Sequence, residues 1–364
     1  MKRNLRMTLC VLLLAAAALS GVPGRASAPE RLTILTHNVY TVLGAPGIDE
    51  RLALIAADDY LRGYDVVILT EMFNDSASER LLEALRADYP YQTPVVGRAS
   101  SADPGCAANE CWTSTDGAFR EQRPEDGGVA ILSKWPIVER RQLIFTASCG
   151  IDALTNKGFA YAQIDIHGTL VHIVGTHMQA DPTGGSGVEA QLEKLFPCSV
   201  PAFDAAPSVC PVEWGSAFEA VRLAQLMEID AWIERQGIPR EEMVVIGGDL
   251  NVDKVGNPAE YDRMLCALHA SAPLYGGDPV LPEPRYTWDG LLNALLKPEV
   301  GRLYLDYILL RDDHAQPAQW RNYVMRVTAS PDNWSDGEPR GYEFSDHFPV
   351  AGFVDEADAP RRAQ

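Results

Sequence analysis

Long apolar runs are missing from this 364-residue chain. A helix that crosses a bilayer needs about 20 apolar residues. The longest candidate, residues 7–19, is shorter and is interrupted by Thr8 and Cys10. Paired C-x-x-C spacing is missing too, which argues against a thiolate zinc site. There is no internal repeat and no linker, so one domain is the simplest reading of the length. Basic residues are scarce: 31 Lys and Arg stand against 50 Asp and Glu, a formal net charge of −19. Nucleic acid is bound largely by Lys and Arg neutralising its phosphates, so nucleic acid is not an expected partner. Divalent cations and a zwitterionic or small substrate suit this charge better. The composition, 46% hydrophobic and 22% charged, is that of a globular protein with a substantial core.

What is present begins at the N-terminus. Lys2, Arg3 and Arg6 precede the apolar run, and small residues ending Arg25-Ala26-Ser27-Ala28 follow it. Positive lead, short apolar core and A-x-A-like end are the parts of a secretory signal peptide. Residues 1–28 are therefore expected to be removed and the protein to be secreted, with a domain over 29–355 and a polar tail, 356–364. Cys10 lies inside the apolar run, not after it, which argues against a lipid anchor there. Six cysteines remain, and export favours disulfides. Cys106 and Cys111 are expected to pair across a short loop, and Cys149 to pair with Cys198 or Cys210. Cys266, in a helical pattern, is expected to be a free buried thiol.

Short runs rich in Val and Ile recur at residues 32–40, 65–70, 128–132, 161–166, 170–176, 243–246, 303–310 and 349–354, as buried strands should read. Helical spacing of apolar residues appears at 78–85, 220–233 and 261–269. Strands interspersed with a few helices predict an α/β sandwich. Residues 99–123 and 180–215 read as long functional loops.

Polar residues collect where the strands end. Asn38 closes the first and Glu71 follows the second. His177 closes another, and Gly248-Asp249-Leu250-Asn251 follows the run MVVI. Asp306 sits in a later strand, and Ser345-Asp346-His347 precedes the last. One such residue alone reads as a cap or a solvated turn. Six such sites do not. Carboxylates and an Asn amide are the hard oxygen ligands that suit Mg²⁺, and two histidines supply proton transfer near neutral pH. Metal, base and acid together point to metal-assisted hydrolysis of a phosphate ester.

The order Asn38, Glu71, His177, GDLN (248–251), LDYI (305–308) and SDH (345–347) resembles the endonuclease/exonuclease/phosphatase superfamily over nearly the whole chain beyond the leader. THNVY (36–40), EMFNDSASERLL (71–82), PEDGGVAILSKWPI (124–137), NKGF (156–159), GTHMQA (175–180) and TWD (287–289) resemble its bacterial neutral sphingomyelinases in particular. This chain departs from that pattern in the Cys106–Cys111 insertion and a longer 180–215 loop. The resemblance implies a deoxyribonuclease I-like four-layer sandwich of two packed mixed sheets flanked by helices. It implies a Mg²⁺-dependent hydrolase that cleaves sphingomyelin into ceramide and phosphocholine, with Mn²⁺ or Co²⁺ left open as the metal.

By the same resemblance Glu71 is the direct Mg²⁺ ligand, with Asn38 beside it and Asp346 at the metal or behind its ligands. Asp249 and Asn251 position water and phosphoryl oxygens. His347 is the general base and Asp306 its orienting carboxylate. His177 stabilises the phosphorus centre or protonates the leaving alkoxide, and Asp289 is either a further polar site residue or the partner in a structural hydrogen bond. A second divalent cation is implied at the Phe73 carbonyl, Glu125 and Asp126. Membrane sphingomyelin is the implied partner of a monomer. Trp334 is either a membrane contact or a core residue, and the surroundings of Trp112 and Phe196 are alternative contacts, since the stretch around Trp334 is rich in charge. The competing readings are another esterase of the same superfamily and a non-catalytic lipid-binding protein.

Overall fold

The computed structural model describes residues 28–101, 111–182, 191–192, 194–200, 210, 213–277, 286–328 and 342–358. The strands of the first half are β1 (Thr33–Asn38), β2 (Val66–Thr70), β3 (Tyr91–Gln92), β4 (Ser114–Gly117), β5 (Ala130–Ser133), β6 (Ile137–Ile144), β7 (Gly158–Ile166) and β8 (Thr169–His177). Those of the second are β9 (Met243–Asp249), β10 (Ala270–Ser271), β11 (Leu274–Gly277), β12 (Trp288–Asp289), β13 (Arg302–Leu303), β14 (Asp306–Arg311), β15 (Arg321–Val324) and β16 (Val350–Phe353). The helices described here are α1 (Ile48–Ala57), α2 (Asp75–Ala84), α3 (Ala217–Gln236) and α4 (Pro258–Ala267).

Two seven-stranded sheets carry the fold, ordered β11-β15-β16-β1-β2-β5-β3 and β10-β14-β9-β8-β7-β6-β4, with β12 and β13 as a separate ribbon. Both sheets are mixed: β1 and β2 are parallel, as are β8 and β9, while β1–β16 and β9–β14 are antiparallel. The central strands are apolar on both faces because each sheet is covered twice. Ile34, Ile68 and Ile131 of the first sheet meet Ile173, Val245 and Ile308 of the second. On its outer face the first sheet packs Leu35, Val67 and Leu69 against Leu52, Ile55 and Leu81 of α1 and α2. The second packs Val244 and Ile246 against Ile229 and Trp232 of α3 and Met264 of α4. The layers are therefore helix, sheet, sheet, helix, as expected. Truncating a central residue such as Ile68 to Ala would cost about 2–5 kcal/mol.

Caps explain which helices were legible. The side chains of Asn74, Ser216 and Asn257 accept from the backbone N–H three residues on, which starts α2, α3 and α4. Helix α1 starts instead from Gly47 in the left-handed region with no side-chain cap, and its sequence carried no start signal. Strand β6, with Glu139, Arg140 and Arg141 at its centre, also escaped, because its charged middle hides the apolar ends.

Two expectations are corrected. Cys266 is not a free thiol: it is bonded to Cys210, which fastens α4 to the long connection before α3. Trp112 is buried in the core between the sheets, so it is not a membrane contact. Cys149 is bonded to Cys198, one of its two expected partners. Cys106 and Trp334 lie outside the described residues. No helix of the described residues is long and apolar enough to cross a membrane.

Candidate active site

Strand register delivers the site. Asn38 pairs with Thr70 at the ends of parallel β1 and β2, which puts Glu71 beside it. His177 pairs with Asp249 at the ends of parallel β8 and β9, and Asp249 pairs with Asp306 of antiparallel β14. The two sheets join here, since Nδ2 of Asn38 donates to Oδ2 of Asp249 across them (3.0 Å). Within the second sheet, Gly248 lets the end of β9 lie close to β8: its φ is +131°, and a Cβ would stand 1.9 Å from the carbonyl oxygen of Thr176. Tyr40, Glu71 and Asn251 all adopt positive φ without being glycine. Such residues cost about 1–3 kcal/mol each and gather at functional sites.

His347 precedes β16 and reaches the same point. Its Nδ1 lies 2.8 Å from Oδ2 of Asp306, and its Nε2 lies 3.8 Å from Oδ2 of Asp249. Burial opposes the imidazolium, but Asp306, Asp249 and Asp346 outweigh it and hold the His347 pKa well above the usual histidine value. Nε2 of His177 faces the same carboxylates, 3.7 Å from Asp249 Oδ2 and 3.9 Å from Glu71 Oε1. Burial, Lys157 and His347 all push its pKa well below the usual value, so this imidazole is neutral. The backbone N–H of Asn251 donates to Oδ1 of Asp249 (3.0 Å) and its amide to the carbonyl of Met178 (3.1 Å).

The carboxylates ask for a cation. Burial, then the charge of Asp346, push Glu71 up to about 8; burial and Asp306 push Asp249 up to about 6. Burial also raises Asp346. Glu71 Oε2 and Asp306 Oδ1 are buried with no hydrogen-bond partner. One ligand atom each of Glu71, His177 and Asp249 lie close enough together to hold an ion, as do those of Asp249, Asp306 and His347. Hard oxygen donors that are crowded, buried and unpaired fit a divalent cation such as Mg²⁺. Asn38 braces this set, its Oδ1 accepting from Tyr40 N–H (3.0 Å). Asp346 accepts from the Trp288 indole (3.3 Å).

Four supporting residues were not singled out from sequence. Lys157, in NKGF, is 5% exposed. Its ammonium donates to Asp152 Oδ2 (2.8 Å) and to Met178 O (3.1 Å), and stands 3.3 Å from His177 Nε2. Thr287 of TWD accepts the backbone N–H groups of Leu305 (2.9 Å) and Asp306 (3.3 Å) on its hydroxyl. His37 of THNVY bridges Tyr60 OH (2.8 Å) and the His347 carbonyl (3.1 Å). Since that carbonyl only accepts, Nε2 of His37 carries the proton. Arg51 donates to the carbonyls of Val39, Tyr40 and Pro46 in one loop and of Phe344 in another. The signal for Lys157 was a buried-type motif carrying a lysine; Arg51 carried none, because α1 itself was not legible.

Two further expected groups have arginine partners. Asp289 is buried, but Arg302 holds its Oδ2 (2.7 and 3.0 Å) and Leu291 N–H its Oδ1 (3.0 Å). Its carboxylate fastens the β12–β13 ribbon. Glu125 and Asp126 line a separate cavity of about 420 Å³ together with Asp75 and Arg98. Burial raises Asp126 to about 7 against the pull of Arg98, whose Nε donates to Asp126 Oδ2 (3.0 Å). A second cation at Phe73, Glu125 and Asp126 would compete with that guanidinium. Phe196 is half-buried, and its carbonyl accepts from Gly150 N–H (2.9 Å).

Residues 35–347 match the Endonuclease/Exonuclease/phosphatase family. A protein named sphingomyelinase C from Bacillus cereus is 38% identical over 337 residues, 89% of this chain and 88% of that protein. The crystal structure of sphingomyelinase C from Streptomyces griseocarneus is similar with a TM-score of 0.72 and 34% identity, over 90% of this chain and all of that one. A mutant beta toxin from Staphylococcus aureus with bound magnesium ions gives a TM-score of 0.72 at 34% identity, over 89% of this chain and 99% of that one.

Proposed function

Because the chain belongs to the endonuclease/exonuclease/phosphatase family and is a phosphodiester hydrolase, we propose that it is a secreted, Mg²⁺-dependent sphingomyelin phosphodiesterase. The products are phosphocholine and ceramide. The observation that carries the chemistry is the Asp306–His347 pair facing Asp249 and Glu71, with His177 and Lys157 beside them.

His347 takes the proton of the attacking water on Nε2, because Nδ1 is committed to Asp306. Asp306 fixes the ring and stabilises the imidazolium that forms, as a buried partner carboxylate does. Asp249 and Asn251 orient the water and the phosphoryl oxygens. A P–O bond forms to water and the P–O bond to the ceramide oxygen breaks; the proton gained by His347 returns through solvent to that oxygen, so ceramide leaves as the alcohol. Glu71, with Asn38 and Asp346, would hold Mg²⁺, which neutralises charge on the phosphoryl oxygens. His177 hydrogen-bonds near the departing oxygen, and the ammonium of Lys157 supplies fixed positive charge there. Secretion is supported by the disulfides Cys149–Cys198 and Cys210–Cys266 and by the leader-like residues 1–28.

The test uses vesicles of sphingomyelin, vesicles of phosphatidylcholine, and supercoiled plasmid, each with Mg²⁺. Phosphocholine released from sphingomyelin alone supports the proposal. Equal release from phosphatidylcholine widens the substrate to choline phospholipids, and nicking of plasmid without phosphocholine release refutes the lipid reading.

A further inference from the structure

Tyr40, Phe73 and Trp288 bring aromatic rings to the site, and the first two are already engaged. Tyr40, whose backbone N–H donates to Asn38, has the guanidinium of Arg51 5.3 Å from its ring centroid. Phe73 is buried, its ring centroid 6.0 Å from that of His177. Trp288 is half-buried, and its ring belongs to none of the apolar clusters formed by the described residues. Trp112, Trp232 and Trp320, by contrast, are core residues, and Trp135 packs against the core. A large ring kept out of the core and beside buried polar groups calls for a partner of its own.

The place of that ring is fixed from several sides. The backbone of Trp288 forms an antiparallel bridge with His347, and Phe348 N–H donates to the carbonyl of Thr287 (2.7 Å). On its other edge Trp288 pairs with Leu303 of β13. The next residue, Asp289, is buried and held by Arg302, and alternation along the strand turns Trp288 away from it. The indole N–H donates to Oδ2 of Asp346 (3.3 Å). The indole is thus set in advance beside the general base.

The choline oxygen of the substrate neither attacks nor departs. As ceramide leaves towards His177 and Lys157, the head group stays with the phosphoryl group on the side of the water and of His347, which is the side where Trp288 stands. A trimethylammonium has no N–H to donate. It is recognised by charge and by aromatic faces, of which tryptophan is the best. We propose that the indole face of Trp288 seats the quaternary ammonium of the substrate and so sets a preference for choline. The inference rests on the sphingomyelin reading above and deepens it.

The test compares wild type, Trp288→Leu and Trp288→Phe on sphingomyelin and on its neutral isostere, in which tert-butyl replaces trimethylammonium. Each lipid is kept at low mole fraction in detergent micelles with Mg²⁺, and ceramide is measured. Calorimetric binding of phosphocholine and of its tert-butyl analogue gives the same comparison without turnover. Both variants lose the indole N–H, so the neutral lipid reports what is lost through Asp346. The choline-to-isostere ratio of kcat/KM reports the aromatic face. Trp288→Leu is expected to lower that ratio about tenfold, and Trp288→Phe, which keeps a ring, to lower it less. A merely structural role would slow both lipids alike. A ratio unmoved by Trp288→Leu while ceramide is still formed overturns the seat and leaves the function standing. A wild type that forms no ceramide from sphingomyelin refutes the function, and the seat falls with it.

Discussion

The ammonium of Lys157 stands 3.3 Å from Nε2 of His177 and 2.8 Å from Oδ2 of Asp152, with all three groups buried. Under the proposed function, an ammonium in that position is a preorganised charge for the phosphoryl group, and loss of one such group costs about 10²–10³ in kcat. Lys157→Met is expected to lower kcat by that amount with little change in KM. It also strands the Asp152 carboxylate, which destabilises the fold by about 3–5 kcal/mol. Adding Asp152→Asn should restore thermal stability without restoring kcat. Recovery of both in the double variant would reduce Lys157 to a structural role.

His347 sets a pH dependence. Its pKa is raised by Asp306, Asp249 and Asp346 against burial, so the neutral base appears only as pH climbs through that raised value. Activity should therefore rise with pH along an ascending limb. Stability runs the other way: the imidazolium's contribution is complete below the unfolded histidine value, about 6.5, and is lost as pH rises through the folded one. Asp306→Asn is expected to move the ascending limb of kcat to lower pH and to reduce its plateau about 10²–10⁴-fold. A pH–rate profile of the two proteins checks both. An unmoved limb would mean that another group titrates.

Glu71 ties metal to stability. Its pKa is raised from the ordinary value of 4.5 to about 8 by burial and then by Asp346. A carboxyl with a raised folded pKa stabilises at low pH, and that contribution is lost between those two values as the group ionises. In EDTA the melting temperature should fall as pH is raised from about 5 to about 8.5. Saturating Mg²⁺ should restore it, since binding to the native state alone at about 100 times Kd contributes about 2.7 kcal/mol. Glu71→Gln should shrink the fall, leaving the part that Asp249 and His347 contribute, and should weaken the restoration by Mg²⁺, as read by thermal unfolding.

The disulfides separate stability from activity. Cys210 and Cys266 are 56 residues apart and Cys149 and Cys198 are 49 apart. Closing loops of that size contributes about 4 kcal/mol each by the chain-entropy rule. Paired Ser replacement of either should lower the melting temperature. Only loss of Cys149–Cys198 should also lower kcat, because it frees the 3₁₀ turn Gly150–Leu154 that carries Asp152. Equal kcat for the two variants would contradict that link.

The sandwich was legible because its central strands are buried on both faces and so read as continuous apolar runs, as in DVVILT and MVVIGGD. The cluster of Asn38, Glu71, His177, Asp249, Asp306 and His347 was legible because each residue sits at or beside a strand end, and strand pairing, parallel for β1–β2 and β8–β9 and antiparallel for β9–β14 and β1–β16, brings those ends together. Asp289 shows the limit. A carboxylate after a strand reads alike whether it faces substrate or an arginine, and Arg302 lies 13 residues on. Lys157 and Arg51 act through contacts distant in the chain, and no local pattern announces these. Cys266 read as a buried thiol because a helix position does not reveal a partner 56 residues away.

The most direct measurement is phosphocholine release from sphingomyelin vesicles by the wild type and His347→Ala, each with Mg²⁺ and with EDTA, after circular dichroism has verified that the variant is folded. Release by the wild type that needs Mg²⁺ and falls about 10²–10⁴-fold in the variant is the expected result. Release that persists in EDTA, or a folded His347→Ala protein with wild-type rate, would contradict the account.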